Sequence, residues 1–198
     1  KNTGDNTPAV VHTEIVPGNS IELTVAAKGG GSENKAKLAM LNPSDDLTEW
    51  VTETLPTLGA GWCPPGILGI GIGGTPEKAM LMAKESLMAP VDMAALVERG
   101  PKTPTETLRL KIYEAVNRLG IGAQGLGGLT TVLDVKINTY ATHAASLPVA
   151  MIPNCAATRH VHITLDGSGP AELPQVDASS WPEITQQVVG QRVNLDEL

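Results

Sequence analysis

Gly66-Ile67-Leu68-Gly69-Ile70-Gly71-Ile72-Gly73-Gly74 runs straight into Thr75-Pro76, and the reading of these residues decides the architecture. Glycine adopts backbone conformations closed to other residues, so a run this rich in it reads as a turn. Thr75 is a capping residue and Pro76 suits the first helical position, which predicts a helix from there to about Met88. The run lacks the Lys-Ser/Thr of a phosphate loop, so it carries no signal for a nucleoside triphosphate.

Working outward, Leu47, Trp50, Val51, Thr54, Leu55 and Leu58 fall at helical spacing after Ser44, predicting a helix over 45–58 that Gly59 stops. A short helix is expected over 92–99. Thr103 and Glu106 form a capping-box pattern ahead of a stripe of Leu108, Ile112, Ala115, Val116 and Leu119, and Gly120 ends that helix. Residues 131–140, 147–152 and 160–165 are β-rich. Near the start, 9–16 and 20–27 are β-rich on either side of Pro17-Gly18-Asn19, which predicts an antiparallel hairpin. Helix and strand blocks in this order give a mixed α/β or α+β domain with antiparallel strand pairs.

The 198 residues are 41% apolar and 18% charged, the balance of a globular domain with a real core. A net charge of -7 with no basic patch argues against a nucleic-acid partner. No apolar run is long enough to span a membrane and no leader is seen, so a cytoplasmic setting is the default expectation. The chain starts at Lys1 without Met, and 166–198 shifts to Gly, Ser, Pro, Asp and Gln. We therefore expect a piece of a longer polypeptide, with 1–165 in one domain and 166–198 an arm or linker. The Met residues of the second helix, Met80, Met82 and Met88, read as core filler.

Gly120-Ile121-Gly122-Ala123-Gln124-Gly125 matches the dinucleotide fingerprint letter for letter. The context is wrong, because a helix precedes it and a strand follows, whereas the fingerprint needs the reverse. With Gly29 to Gly31 and Gly66 to Gly74 it makes three glycine-rich turns, whose backbone amides could crowd round an anion or cofactor. Cys63 and Cys155 are too few for a disulfide framework and too distant for a zinc ribbon. Cys63 is followed by Pro64-Pro65, which holds it in a loop of the kind iron-sulfur clusters recruit. Two rival chemistries use the same residues: Cys63 as nucleophile with His143 as base, or a zinc site from Cys63, Cys155, His143, His160 and His162. His160 and His162 share one strand face, and ordinary surface or core histidines account for such a pair.

Taken in order, Asn2-Thr3-Gly4-Asp5-Asn6-Thr7-Pro8-Ala9, Ala27-Lys28-Gly29-Gly30-Gly31-Ser32-Glu33-Asn34, Gly61-Trp62-Cys63-Pro64-Pro65-Gly66, the Gly120 to Gly128 segment, Thr142-His143-Ala144-Ala145-Ser146-Leu147-Pro148 and Pro153-Asn154-Cys155-Ala156-Ala157-Thr158-Arg159-His160 resemble class I, iron-sulfur-dependent fumarate hydratases of the single-chain bacterial type. The resemblance implies an internal piece of their N-terminal domain, with glycine-rich loops around a [4Fe-4S] cluster. Three cysteines hold that cluster, leaving one iron open to substrate. Cys63 and Cys155 match the second and third, while the first falls before Lys1, so this piece alone is expected neither to retain the cluster nor to turn over. The resemblance further implies that His143 lies in the substrate pocket, polarising or positioning the substrate, and that Gly29 or Gly30 gives a main-chain contact. Its implied partners are a small dicarboxylate, a C-terminal domain of the same chain and a second copy in a homodimer. A tartrate dehydratase or a mesaconase is the nearest alternative activity. A piece that folds and associates without catalysis is the alternative of another class.

Overall fold

The computed structural model describes residues 3–5, 9–157 and 159–169. Most of the segment 166–198, expected as an arm or linker, lies outside the described residues.

Two compact units divide the chain: Lys1–Leu23 with Ile163–Leu198, and Thr24–His162. Among the described residues of the first unit, Thr164 donates from Oγ1 to Glu22 Oε2 at 2.7 Å. The expected hairpin is absent. Residues 9–16 form no strand and are exposed throughout, because a lone pair of strands with no face to bury is marginal at best. The strand that does form, β1 (Ile21–Ala27), pairs with the far end of the sequence, β6 (Arg159–Leu165).

The second unit is built on a four-stranded sheet in the order β2-β5-β3-β4. Its strands are β2 (Lys37–Leu41), β3 (Gly66–Gly73), β4 (Val132–Tyr140) and β5 (Leu147–Cys155). β3 and β4 run parallel, and β5 is antiparallel to both β3 and β2. The glycine-rich run read as a turn is thus the buried inner strand β3. Its alternation explains the error: Leu68 and Ile70 face the larger core, while Gly69 and Gly71 lie on the opposite face. A Cβ on Gly71 would come within 2.0 Å of Ala79 O, and one on Gly69 within 2.3 Å of Ala83 O. These glycines let a helix backbone rest directly on the strand, a packing role rather than a turning one.

That helix is α3 (Pro76–Ser86), with Thr75 at its N-cap position and Pro76 opening it as expected, although the Thr75 side chain makes no capping hydrogen bond. It covers one face of the sheet, where Ala79, Ala83 and Leu87 meet Ile67, Ala150 and Ile152. The other face carries α2 (Leu47–Thr57), α4 (Met93–Arg99) and α5 (Pro104–Arg118). There Val51, Leu55, Met93, Leu96, Ile112 and Val116 pack on Leu68, Ile70, Val135 and Met151. Each such fully buried side chain contributes about 1.5–3 kcal/mol. The cap of α2 is Asp46, not Ser44: its Oδ1 accepts from Thr48 N–H at 2.7 Å and Glu49 N–H at 3.3 Å. A short helix α1 (Gly30–Glu33) replaces the expected loop there.

One buried polar network ties α5 to β4. Arg109, 8% exposed, donates from Nε to Val135 O at 2.6 Å and pairs with Asp92 and with the fully buried Asp134. Lys136 pairs with both carboxylates as well. Two cations facing two carboxylates leave no net charge inside, the condition under which burying ions is tolerable. Burial opposes the Asp92 charge, but Arg109 and Lys136 outweigh it and hold that carboxyl well below the usual range.

Candidate active site

The pairing of β3 with β5 places Gly66 opposite Cys155. Cys63 lies three residues before Gly66, so the loop carrying one thiol ends beside the strand that ends in the other. Both residues are thiols rather than halves of a disulfide; Cys63 is exposed and Cys155 half-buried. Trp62, wholly buried in the larger core, anchors the loop from beneath. Cys63 has a left-handed backbone, φ 58°, followed by the cis Pro64-Pro65 bond. Its N–H donates to Ala60 O at 2.9 Å. A residue other than glycine held in that conformation is uncommon, and surrounding structure must fix it.

Two further segments close on this loop. Gln124 donates its N–H to Pro64 O at 2.7 Å, bringing in the turn after α5. That turn is a short 3-10 segment, Ala123–Gly125, between α5 and β4, so the fingerprint match has helix and strand in the wrong order for a dinucleotide, as anticipated. From the other side, a Cβ on Gly31 would come within 2.8 Å of Gly61 O, so Gly31, next in sequence to Gly29 and Gly30, lies against the Cys63 loop. Lys28 then reaches the end of β5: its Nζ donates to Pro153 O at 3.1 Å, two residues before Cys155. Gly29, Gly30, Cys63 and Cys155 therefore belong to one end of the sheet.

His143 belongs to the other end. It follows β4 and precedes Leu147, the first residue of β5, while Cys155 is the last. Eight residue steps at roughly 3.3 Å separate those ends, about 26 Å. A thiol nucleophile with His143 as base is therefore not assembled in one chain. The zinc alternative fails similarly. His162 uses both ring nitrogens, on Thr24 Oγ1 at 2.8 Å and Met88 O at 3.1 Å, and its ring meets that of His160 edge-on at 5.3 Å.

His143 sits on a cleft of about 610 Å³ that Gly74, Thr75, Lys78, Tyr140, Thr142 and Ser146 help to line. Ala145 N–H donates to His143 Nδ1 at 3.1 Å, so a neutral ring carries its proton on Nε2 and presents a donor there. Thr142 Oγ1 donates to Gly74 O at 3.0 Å, and Lys78 Nζ stands 5.5 Å from the Tyr140 ring centroid. The meeting of these two segments, Gly74 to Lys78 and Tyr140 to Ser146, had no sequence signal beyond the motif that carries His143.

The thiol end suits an iron-sulfur group in kind and position. Thiolates are the ligands such clusters take, and here two are carried to neighbouring strand ends, one on an exposed loop whose backbone is locked. Among the described residues no cluster of three or more His, Cys, Asp or Glu could hold a metal ion, so an iron-sulfur group at Cys63 and Cys155 would need a further ligand.

Residues 1–164 match the sequence profile described as Fumarate hydratase (Fumerase). A putative L(+)-tartrate dehydratase subunit alpha of Methanocaldococcus jannaschii is 40% identical over 162 residues, 80% of this chain and 55% of that protein. The L(+)-tartrate dehydratase subunit alpha of Escherichia coli K12 is 33% identical over 162 residues, 80% of this chain and 52% of that protein. The chain spans about half the length of the curated relatives it matches.

Proposed function

We propose that this chain, which belongs to the fumarate hydratase (Fumerase) family, supplies two thiolate anchors, Cys63 and Cys155, to the [4Fe-4S] cluster of a hydro-lyase that interconverts fumarate and malate. The observation that carries the reading is the β3–β5 register, which sets Gly66 against Cys155 and so delivers the Cys63 loop to the same place. The bound cluster supplies a Lewis acid for substrate oxygens without a change of redox state. The chain's own residues do the rest. Gly29 and Gly30 bring main chain close to the thiols, where N–H groups can donate to a carboxylate. His143 donates from Nε2 to a substrate carboxylate or carbonyl, positioning it rather than transferring a proton.

His143 reaches the thiol end only from a second chain, since one rigid sheet holds the two about 26 Å apart. The homodimer is thus part of the proposal. Residues 1–165 form part of a catalytic domain in this reading, with 166–198 leading to the portion that supplies carboxylate-binding cations, while the first of the three cysteines falls before Lys1. The relatives named as alpha subunits favour a variant in which a separate partner chain supplies that portion. The proposed setting is the cytoplasm; among the described residues no helix is long and apolar enough to cross a membrane.

A second substrate reading rests on a specific observation, the tartrate dehydratase names of the relatives. Mesaconate is a third dicarboxylate of the same kind. The test is anaerobic iron-sulfide reconstitution of the completed protein, followed by steady-state assays on fumarate, L(+)-tartrate and mesaconate. The largest kcat/KM is expected for fumarate. A larger value for tartrate transfers the assignment to the second reading, and no cluster in the completed protein sinks both. This chain alone is expected to form no stoichiometric cluster, and one that does form removes the need for an outside ligand.

A further inference from the structure

Lys28 stands at the centre of the thiol end without belonging to any expected site. It follows β1 directly, and its side chain is only 10% exposed. Its ammonium donates to Pro153 O at 3.1 Å and to Ser32 Oγ at 3.2 Å, and pairs with Glu33 Oε2 at 3.0 Å. Three oxygens thus surround a group that has three N–H donors. Held by these three oxygens, the ammonium has two consequences. The first is mechanical: one side chain joins the end of β1, the turn of α1 and the last stretch of β5. The second is electrostatic. Lys84 also pairs with Glu33, through the other carboxylate oxygen, so among the described residues two cations share a single carboxylate and one positive charge is left over. The Cys155 thiol is within electrostatic reach of Lys28. Burying an ammonium is costly, and burial lowers the Lys28 pKa from its ordinary value. A surface location would avoid that cost, so the placement calls for a purpose beyond solubility.

We propose that Lys28 is a positioning residue that clamps the Gly29 to Ser32 turn onto the Cys155 end of β5 and holds a net positive charge beside that thiol. The charge attracts anions to the thiol end, either a thiolate-held cluster of negative charge or the carboxylates of a substrate. The inference deepens the proposed function and rests on it only for the identity of the group at the thiols.

Its test needs no cluster. The chain is alkylated anaerobically with iodoacetate, an anion, and in parallel with iodoacetamide, its neutral counterpart. Peptide mass spectrometry gives the rate ratio of the two reagents at Cys155 and at Cys63. The ratio is expected to be higher at Cys155. Lys28→Met lowers it there by roughly three- to fivefold, the scale of one unit charge acting through partly wet surroundings, with Cys63 changed little. Lys28→Arg retains it. Glu33→Gln removes the compensating carboxylate and raises it, which provides a readout even where Lys28→Met fails to fold. An unchanged Cys155 ratio in Lys28→Met, an equal fall at both thiols, or no rise in Glu33→Gln overturns the proposal. A failure of iron-sulfide reconstitution, by contrast, leaves these ratios untouched and bears only on the cluster.

Discussion

The two ends of β5 are made from different materials. At the Cys155 end, three loops and a nearly buried lysine close on a pair of thiols. At the Leu147 end, an exposed imidazole sits on an open cleft with one lysine and several hydroxyls. The first end is fixed by interlocking backbone, which suits the cluster proposed for it. The second presents side chains to solvent, as expected of a surface completed by another molecule. Chemistry that needs both ends on one substrate cannot come from a single copy.

The largest effect should fall on the thiols. In the completed protein, Cys63→Ser or Cys155→Ser is expected to remove the cluster absorbance and turnover together, while His143→Asn spares the cluster and lowers kcat/KM by roughly 10²-fold. Loss of cluster in His143→Asn breaks the separation of the two ends. Co-expressing Cys155→Ser chains with His143→Asn chains sharpens it: a mixed dimer keeps one site with wild-type thiols and a wild-type imidazole from the other chain. Partial activity above that of either parent is expected, and none above them argues for both groups acting within one chain.

The frame between the ends comes next in size. Asp134→Ala leaves Arg109 and Lys136 with only Asp92 and should cost about 3–5 kcal/mol in urea unfolding, the usual result of breaking a buried ion network. Gly71→Ala forces a Cβ into the α3 backbone and should cost about 1–3 kcal/mol. Both should weaken the ends alike, so a loss confined to one end shows that the sheet does not transmit the damage.

Acid should give the smallest and most selective effect. Burial opposes the Glu33 charge, but hydrogen bonding from Lys84 and Lys28 outweighs it and holds the carboxyl below its ordinary value. A carboxyl depressed on folding contributes stability above its unfolded pKa and loses it as pH falls through the folded one. Hydrogen exchange at Gly30 to Glu33 should therefore accelerate, relative to Thr142 to Ser146, on descending below the ordinary glutamate range. Equal acceleration in both segments removes Glu33 from the account.

Much of this was legible in the chain. The helices after Thr75 and Thr103 announced themselves by their caps, and the mixed architecture followed from block order. The proposed thiol site rests in the sequence only on the resemblance of several motifs, since two cysteines 92 positions apart say nothing of proximity until β3 and β5 are known to be neighbours. β3 was misread because glycine content was weighed as flexibility, whereas Gly69 and Gly71 serve close approach by α3. β1 was paired with its nearest candidate because sequence favours local partners, yet β6 lies over a hundred residues away. Lys28 had no signal beyond its place in the Ala27 to Asn34 motif: its importance comes from Pro153, Ser32 and Glu33 meeting in space.

The most direct test is dithiol capture by phenylarsine oxide, which binds tightly only where one arsenic bridges two neighbouring thiols. One arsenic per chain, consuming both Cys63 and Cys155 and lost with either Cys→Ser change, is the predicted result. Thiols that stay independently reactive toward a neutral alkylating agent in the presence of the arsenical would contradict the shared centre.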